Sequence, residues 1–270
     1  MYYSLISSMK KSSVDADAQA FITAAAITNA TQATAVNTLV TSLKSYGIWN
    51  KMKALYPMVG GTAASHKFNL KDPRDLNAAF RLTFSGGWTH SSNGALPNGT
   101  NGFADTFLIP QNSLSQYNAH LSYYSRTLTT LDNRNELGCS SNSINELPIM
   151  QLYLLRSNNF TSDMSDYSTT RIITANTDTR GFFQNSRTTA SNHKVYKNGL
   201  LLATNSATTI QTTWPTSKMA IAAYFNSITY QRFSDKQCAF ASIGDGLTDT
   251  ESSNFYTAVQ AYQTSLSRQV

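Results

Sequence analysis

The pattern of hydrophobic and polar positions divides the chain into a helical beginning, a long β-rich body and one final helix. Apolar residues first recur at spacings of three and four, which predicts an amphipathic helix capped by Thr28 or Asn29 and stopped at Gly47. The apolar residues of this helix are Val36, Leu39, Val40 and Leu43. A shorter helix is predicted before it, in "DADAQAFITAAA", with Asp15 and Asp17 favourable near its N-terminus.

The long middle of the chain predicts a β-sandwich. From Lys53 onward, about ten short apolar runs bounded by Gly, Pro, Asn and Asp replace the helical pattern, and this spacing is typical of two packed antiparallel sheets. The run "SHKFNL" is one predicted strand, whereas "HSSNGALPNGTNGFADT" is predicted to be a long loop. The clearest hairpin is "HKVYKNGLLLAT", because Asn198-Gly199 is a dipeptide favoured for a type I′ turn.

The last predicted element is a helix over residues 248–267. Thr248 precedes Glu251 by three residues, which is the spacing of a capping box. The apolar residues on one face of this helix are Phe255, Val259, Tyr262 and Leu266. Because a single amphipathic helix must bury such a face, we expect it to lie on an edge or open face of the sandwich, beside the N-terminal helices.

Composition and charge narrow the range of partners. Residues 1–81 hold nine Lys or Arg against four Asp, and the rest of the chain holds twelve against eleven, so the formal charge of +6 predicts a basic N-terminal docking face. The sequence has no arginine-rich run and no helix-turn-helix signature, so no specific nucleic-acid partner is expected. No apolar run approaches ~20 residues and the N-terminus lacks the form of a signal peptide, so no membrane partner is expected.

Catalytic constellations are missing from the sequence, which predicts a protein that is not an enzyme. The three glutamates do not form the paired pattern of a glycosidase; a pair would have to come from separate strands, for instance Glu136 with Asp178. The four histidines are scattered without metal-ligand spacing. Cys139 and Cys238 are predicted to be two buried free thiols, although one disulfide between them is geometrically conceivable.

Two weaker binding hypotheses come from the loops. A calcium ion is the one cofactor that the residues suggest, because the loop segment from residue 90 to residue 106 gathers side-chain oxygens near flexible glycines. These oxygens belong to Asn93, Asn98, Asn101 and Asp105. For a glycan, the stretch "GGWTHSSNG" supplies Trp88 and His90, which would share one face of a strand; the alternative is that Trp88 is a core residue.

Two long segments, Met52 to Gly94 and Cys238 to Val270, resemble a family of tailed-phage virion proteins whose body is similar to the concanavalin A-like lectin/glucanase (laminin-G-like) jelly roll. The hairpin "VYKNGLLLAT" is similar to one often met in that jelly roll, and the likeness covers roughly Asp15 to Val270. The resemblance implies a mainly β fold, a two-sheet antiparallel jelly-roll sandwich with N-terminal helices and one C-terminal helix.

The resemblance also implies a function. We expect a non-enzymatic structural component of a bacteriophage virion, tail- or capsid-associated, that is assembled in the host cytoplasm and contacts other virion proteins and further copies of itself. The alternative is a lectin-like module on the virion surface that binds a carbohydrate or receptor, such as a host-surface glycan. Fold analogy by itself does not choose between these two functions.

The chain is therefore divided into a docking segment (residues 1–14), a helical region packed on the body (residues 15–52) and the sandwich with its final helix (residues 53–270). The docking segment carries large apolar and basic side chains where a free terminus is ordinarily polar. The residues predicted to dock on a neighbouring subunit are Tyr2, Tyr3, Leu5, Ile6, Lys10 and Lys11.

Overall fold

The structure is a computed structural model, and it describes residues 13–115, 117–208 and 211–270. Two β-sheets stack face to face, and helices cover the outer side of one of them. The helices are α1 (Ala16–Ala24), α2 (Ala30–Ser45), α3 (Ala63–His66), α4 (Pro110–Ser113) and α5 (Asp249–Ser265), with 3₁₀ turns at Trp49–Lys51 and Asn77–Ala79.

The strands are β1 (Met52–Tyr56), β2 (Thr83–Ser85), β3 (Trp88–Ser91), β4 (Gly94–Pro97), β5 (Phe103–Asp105), β6 (Ala119–Ser125), β7 (Leu137–Ser140), β8 (Ile149–Arg156), β9 (Asn159–Ser165), β10 (Ile172–Ala175), β11 (Gly181–Thr189), β12 (Asn192–Lys197), β13 (Leu200–Asn205), β14 (Ala220–Ile221), β15 (Tyr224–Phe225), β16 (Tyr230–Gln231) and β17 (Cys238–Gly244).

Two sheets are built from these strands. Sheet A has eight strands in the order β13-β12-β11-β6-β17-β4-β3, with β1 also paired to β17. Sheet B has nine, in the order β10-β9-β8-β7-β14-β5-β2, with β15 joined to β7 and β16 to β15. Apart from β7 with β15, the paired strands of the described residues run antiparallel. The predicted two-sheet sandwich is therefore confirmed.

The first core lies between the two sheets. Sheet A contributes residues such as Leu121 and Phe183, and sheet B contributes Leu152 and Phe160, all fully buried. The rings of Phe160 and Phe183 meet edge to face across the gap, with centroids 5.2 Å apart. Because strand side chains alternate, the neighbouring residues of sheet A point away from this core and need a second cover.

The second core lies between the outer side of sheet A and helices α1, α2 and α5. Phe255 of α5 packs edge to face on Phe182 and Phe240 of the sheet, with ring centroids 5.3 and 5.9 Å away. Val36 and Leu39 of α2 are buried in the same cluster. The amphipathic faces predicted for α2 and α5 are thus confirmed, and α5 lies beside the N-terminal helix α2, as expected.

Local signals in the sequence fix the ends of these elements. Asn29 caps α2, since its Oδ1 accepts a hydrogen bond from the Gln32 N–H at 3.0 Å. Thr248 and Glu251 form the predicted capping box of α5. At the β12–β13 turn, Asn198 has φ 50° and Gly199 has φ 74°, which is the type I′ geometry expected from this dipeptide.

Three local predictions differ from the structure. "SHKFNL" is not a strand: His66 ends helix α3, which is capped by Thr62. The predicted long loop contains β4 and β5, whose inward residues Ala95 and Ala104 are too small to give a strong alternating signal. The helical region also ends one residue earlier than predicted, because Met52 already belongs to β1.

Most of the N-terminal positive charge is paired within the chain. Lys44 bridges to Asp15 and Asp17, and Lys51 reaches Glu251 at the start of α5, each at 2.7 Å. Further pairs join Lys53 to Asp245, Lys67 to Asp75, Arg74 to Asp72 and Arg81 to Asp75. The predicted basic docking face is thus largely compensated over the described residues.

Both cysteines are buried and unbridged. Cys139 lies on β7 and Cys238 on β17, and burial raises the pKa of the Cys238 thiol to about 12. The prediction of two buried free thiols is confirmed. Over residues 13–115, 117–208 and 211–270, no helix combines the length and the hydrophobicity that a membrane crossing requires.

Two core histidines are neutral in the fold. His120 Nδ1 donates to the Asp245 carbonyl and His193 Nδ1 to the Thr170 carbonyl, while the Nε2 atom of each accepts from a serine hydroxyl. Burial lowers the pKa of both His120 and His193 to about 4. Each histidine therefore stabilises the fold only while it stays unprotonated.

Phe255→Ala is expected to lower the free energy of unfolding by about 3–5 kcal/mol, because it opens a cavity between α5 and sheet A. Ser253→Ala, on the exposed side of the same helix, is the matched control and should change stability by less than about 0.5 kcal/mol. Urea unfolding at neutral pH measures both variants. A small effect of Phe255→Ala would contradict the second core.

Acid is expected to destabilise the protein before its carboxylates titrate. The folded pKa of His193 lies below the unfolded value of about 6.5, so its contribution is complete above pH 6.5 and is lost as the pH falls toward 4. His193→Gln should flatten the dependence between pH 7 and 5 by up to about 1.4 kcal/mol per pH unit. An unchanged slope in urea unfolding would show that His193 does not titrate on unfolding.

Candidate functional site

The outer face of sheet B carries a row of polar groups across neighbouring strands. Gly138 of β7 pairs with Gln151 of β8, which pairs with Asp163 of β9, while Tyr224 of β15 lies beside Gly138 on the other side. Gln151, Asp163 and Tyr224 are each no more than 1% exposed. These positions alternate with the inward residues of the first core, so they face away from it.

One end of this row is closed by an arginine–carboxylate pair. Arg171, just before β10, donates from Nε and Nη2 to the two oxygens of Asp163, both at 2.8 Å. The Gln151 amide donates to the same carboxylate, and Asn135 in turn donates to Gln151. Such a two-bond geometry fixes the guanidinium plane.

A second pair lies on the same face. Arg232 Nη2 donates to the Glu146 carboxylate at 3.0 and 3.2 Å, and its Nη1 donates to the Tyr153 hydroxyl at 3.1 Å. The guanidinium also stacks 4.7 Å from the centre of the Tyr224 ring. Although burial alone would lower it, the neighbouring Tyr153 and Glu146 raise the pKa of Arg232.

An exposed aromatic ring borders these pairs. Tyr167 is 37% exposed, carries the Arg171 guanidinium 5.5 Å from its ring centre and donates from its hydroxyl to the Asn145 carbonyl at 3.1 Å. It thereby ties the β9–β10 loop to the β7–β8 loop. We call the following residues the outer-face site: Glu146, Tyr153, Asp163, Tyr167, Arg171 and Arg232.

Next to the outer-face site, two buried polar atoms find no hydrogen-bond partner among the residues that the structure describes: Asn135 Oδ1 and the Tyr224 hydroxyl oxygen. Burial raises the pKa of Tyr224 far above its usual range. The nearby Ser140 lowers this pKa slightly, although its geometry does not meet the criteria of a hydrogen bond. Burial likewise raises the pKa of Tyr153. Buried polar groups without partners are uncommon in folded proteins, and they often occur where a ligand or water binds.

The outer-face site offers both donors and acceptors at fixed positions. A guanidinium has five N–H groups, and Arg171 and Arg232 each use only part of them on described residues. Glu146, whose side chain is 22% exposed, supplies acceptor oxygens beside Arg232, whereas Asp163 is fully buried and orients Arg171. Neighbouring hydroxyls on a ligand need a donor and an acceptor close together, and the Arg232–Glu146 pair provides this combination.

The glycan residues predicted from the sequence lie at the opposite edge of the sandwich. Trp88 and His90 do share one face of β3, with ring centroids 6.0 Å apart. The Trp88 Nε1 group donates to the Ser85 and Phe103 carbonyls at 3.0 and 3.1 Å, and its half-buried ring packs on the first core. Most polar contacts of Trp88 are therefore internal, and a glycan site there stays a prediction.

His90 is held by a second histidine. Its Nδ1 lies 2.9 Å from the Nδ1 of His66, whose Nε2 accepts from the Gly61 N–H, so His66 Nδ1 is the donor and His90 Nδ1 the acceptor. Burial, with smaller effects of His90 and Arg268, lowers the pKa of His66 to about 3. This neutral pair braces β3 against helix α3.

The residues predicted to bind calcium do not converge. Asn98 Oδ1 accepts from the N–H groups of residues 100, 101 and 102 at 3.0 to 3.1 Å, and Asn101 Oδ1 accepts from Asn98 and Gly87. Asp105 pairs with Lys218 and with the Tyr230 hydroxyl. Asn93 lies apart from them, in the β3–β4 turn. Among the described residues, no group of three His, Cys, Asp or Glu could hold a metal ion.

The carboxylates considered for hydrolysis are also apart. Glu136 is fully buried against Lys236 at 3.1 Å, and burial raises its pKa. Asp178 is paired with Arg180 at the surface. The N-terminal docking residues Tyr2, Tyr3, Leu5, Ile6, Lys10 and Lys11 lie outside the described residues, so their role stays a prediction.

Sequence reasoning missed the outer-face site because its members come from separate loops and strands. Glu146 stands in the β7–β8 loop, Arg171 before β10 and Arg232 after β16. The sequence did contain one usable signal. Charged residues make up only 13% of the chain, so two arginines that directly flank short strands could have been considered as candidate site residues. No spacing rule joins three such segments.

The fold resembles solved structures that share little sequence with it. A mutant of Trypanosoma rangeli sialidase displaying trans-sialidase activity has a TM-score of 0.56 at 11% identity, over 84% of this chain and 39% of that one. Botulinum neurotoxin type C, whose cell entry depends upon interaction with two ganglioside molecules, has a TM-score of 0.51 at 12% identity, over 80% and 53%. Domain 4 of an extracellular arabinanase from Geobacillus stearothermophilus reaches only 0.46 at 14% identity, over 76% and 98%.

No protein-family model matches the sequence, and no curated protein matches it. This chain spans 39% and 53% of the lengths of the sialidase and the neurotoxin. At these identities the likenesses concern the fold alone, and the arabinanase likeness is too low to carry an argument. They establish that the chain folds as a mainly β, lectin-like jelly-roll sandwich.

Proposed function

We propose that this protein is a non-enzymatic, lectin-like module that binds carbohydrate at the outer-face site. The observation that carries the proposal is the pairing of Arg171 with Asp163 and of Arg232 with Glu146 on one sheet face, beside the exposed ring of Tyr167. The proposal takes up the carbohydrate-binding alternative raised by the sequence and moves it from Trp88 to a different face.

Sugars need the groups that this face supplies. Each ring hydroxyl can donate one hydrogen bond and accept others, and each arginine–carboxylate pair places donors next to acceptors. An exposed aromatic ring such as that of Tyr167 suits the apolar C–H side of a pyranose. Pockets for small ligands commonly combine a few fixed polar groups with aromatic side chains in this way.

The polar groups are held in place before any ligand arrives. Arg232 is fixed by Glu146, by the Tyr153 hydroxyl and by the Tyr224 ring, and Asp163 by Gln151 and Arg171. Side chains that are already ordered lose less conformational entropy on binding. A preorganised site of this kind can bind a flexible, strongly hydrated ligand.

The same contacts favour binding over hydrolysis. A glycosidase uses one carboxyl group as a proton donor to the leaving oxygen. Glu146, whose side chain is 22% exposed, accepts hydrogen bonds from Arg232, which suits it to accept from sugar hydroxyls as well, whereas Asp163 is fully buried and holds Arg171 in place. Glu136, just before β7, is buried against Lys236 and out of reach of a ligand.

The fold is compatible with this proposal. Botulinum neurotoxin type C, with which 80% of this chain shares a fold, depends for cell entry upon interaction with two ganglioside molecules. That property belongs to the neurotoxin, and a shared fold does not locate a site. The support for glycan binding in this chain is the side-chain chemistry of the outer-face site.

A second function, protein–protein assembly in a phage virion, is favoured by strand β13. This strand ends sheet A, and Leu200, Leu201 and Leu202 are 70%, 47% and 38% exposed. An uncharged apolar edge strand suits strand addition by a neighbouring subunit. Placement on a virion rests on the resemblance of Met52–Gly94 and Cys238–Val270 to tailed-phage proteins.

Glycan binding is tested on an array with the purified full chain. Arg232→Lys keeps the charge but loses the forked contact to Glu146 and Tyr153, and Tyr167→Ala removes the exposed ring; each should weaken binding about tenfold or more. Arg74→Lys is the control, because Arg74 also donates two hydrogen bonds to a carboxylate, that of Asp72, on a distant loop. Melting curves confirm that all variants fold. Binding lost in Trp88→Ala but intact in the other variants would move the site to β3.

Assembly is tested by mass spectrometry of purified phage particles. The protein should be present in them, and deletion of residues 1–11 should lower its incorporation because these residues are predicted to dock on a neighbour. The melting temperature of the isolated truncated protein should stay nearly unchanged. A protein found only in infected-cell lysate would contradict the virion role, and a large loss of thermal stability would place the segment in the protein's own core.

A further inference from the structure

We infer that the outer-face site selects acidic glycans, with the sugar carboxylate bound at Arg156. This inference rests on the proposed glycan binding and names the class of ligand. It comes from the groups around the fully buried side chain of Tyr153, where one arginine lacks a carboxylate partner.

Two guanidinium groups contact Tyr153, and that of Arg171 lies nearby. Arg232 donates to its hydroxyl at 3.1 Å, and Arg156 lies over its ring at 5.3 Å from the centre. Arg171 lies near enough for its pKa to be raised by both Asp163 and Tyr153, although burial opposes this. Strand β8 places Tyr153 and Arg156 three residues apart, and the β-bulge between them turns Arg156 back over the ring.

The carboxylates at this face are already used by other groups. Asp163 is taken by Arg171 and Glu146 by Arg232. Asp132 lies at the turn after Arg156, but its Oδ1 accepts from the N–H groups of Asn133 and Ser157. Over the described residues, no carboxylate lies within 4.0 Å of the Arg156 guanidinium nitrogens, so this cation forms no ion pair with them.

The backbone does not supply Arg156 with acceptors either. Other uncompensated arginines of this chain are held by carbonyl oxygens: Arg268 donates to those of Pro57, Met58 and Ala239, and Arg187 to that of Met164. Arg156 contacts only an aromatic ring among the described residues. The guanidinium N–H groups of Arg156 are therefore available to a ligand, and a guanidinium binds carboxylates through charge-assisted hydrogen bonds.

The planar fork of a guanidinium matches a carboxylate with two parallel hydrogen bonds. A uronic or other acidic sugar carries such a group next to several hydroxyls. Its carboxylate would bind Arg156, while its hydroxyls contact Arg171 and the Arg232–Glu146 pair. The half-buried position of Arg156 strengthens this attraction relative to a fully solvated side chain.

The test compares oligogalacturonides with their methyl esters, in which esterification removes the charge of the carboxyl group and adds only a methyl group. Sialylated oligosaccharides are compared with their neutral cores, and a sulfated series is included. We expect an acidic member to bind about tenfold more tightly than its neutral partner at low salt, a difference that shrinks as salt is raised. Arg156→Gln should abolish this preference and leave the affinity for the neutral partner unchanged. Arg74→Gln, at the distant matched arginine, should leave the preference intact.

Each outcome separates the inference from the proposed function. Equal binding of acidic and neutral members would overturn the inference while leaving glycan binding in place, as would a preference that survives Arg156→Gln. Tighter binding of sulfated than of carboxylated glycans would overturn the carboxylate assignment. Failure to bind any glycan in any series would instead overturn the proposed function.

Discussion

Sheet A is apolar on both faces, and the rest of the structure depends on covering it twice. Tyr123 and Phe183 belong to the core between the sheets, whereas their chain neighbours Tyr124 and Phe182 belong to the core beneath the helices. Burial of apolar surface contributes roughly 25 cal/mol per Å², so leaving either face in water would cost much of the stability of a domain. This requirement explains why helices α1, α2 and α5 pack together over the outer side of sheet A.

Among the described residues, the core beneath the helices does not extend to sheet B, whose outer face carries buried polar groups instead. Asp163 and Gln151 are buried there, and a buried charge is tolerated only when it is paired and hydrogen-bonded. Arg171 meets this need for Asp163, and Arg232 does the same for Glu146. The polar network is therefore a structural necessity of an uncovered face and also the most promising place for ligand chemistry.

The network is not complete, which distinguishes it from a purely structural one. Asn135 Oδ1 and the Tyr224 hydroxyl lack partners, and Arg156 has no acceptor among the described residues. Elsewhere the chain saturates its buried polar groups: His120 and His193 use both ring nitrogens, and Arg268 reaches several carbonyls. The gaps are concentrated on one face of one sheet, beside preorganised donors and acceptors.

The sequence by itself determined the elements whose signals are local. The helix caps at Asn29 and Thr248, the Asn198-Gly199 turn and the apolar faces of α2 and α5 depend on residues at most a few positions apart, and all are found in the structure. The β-sandwich could also be predicted from the sequence, because many short strands with apolar side chains on one face bury those faces by packing two sheets together. Strands β4 and β5 were missed because their inward residues are alanines.

Tertiary structure alone decided the candidate site. Glu146, Asp163, Arg171 and Arg232 come from a loop, a strand interior and two strand flanks, and only the strand order β10-β9-β8-β7 with its register brings them to one face. The same packing gave Trp88 and His90 their partners, two carbonyl groups and His66, which their spacing in the sequence could not identify. The spacing of residues along the chain predicts which side chains share a face of one strand. It does not predict which residues become neighbours across strands, because that depends on long-range strand pairing and register.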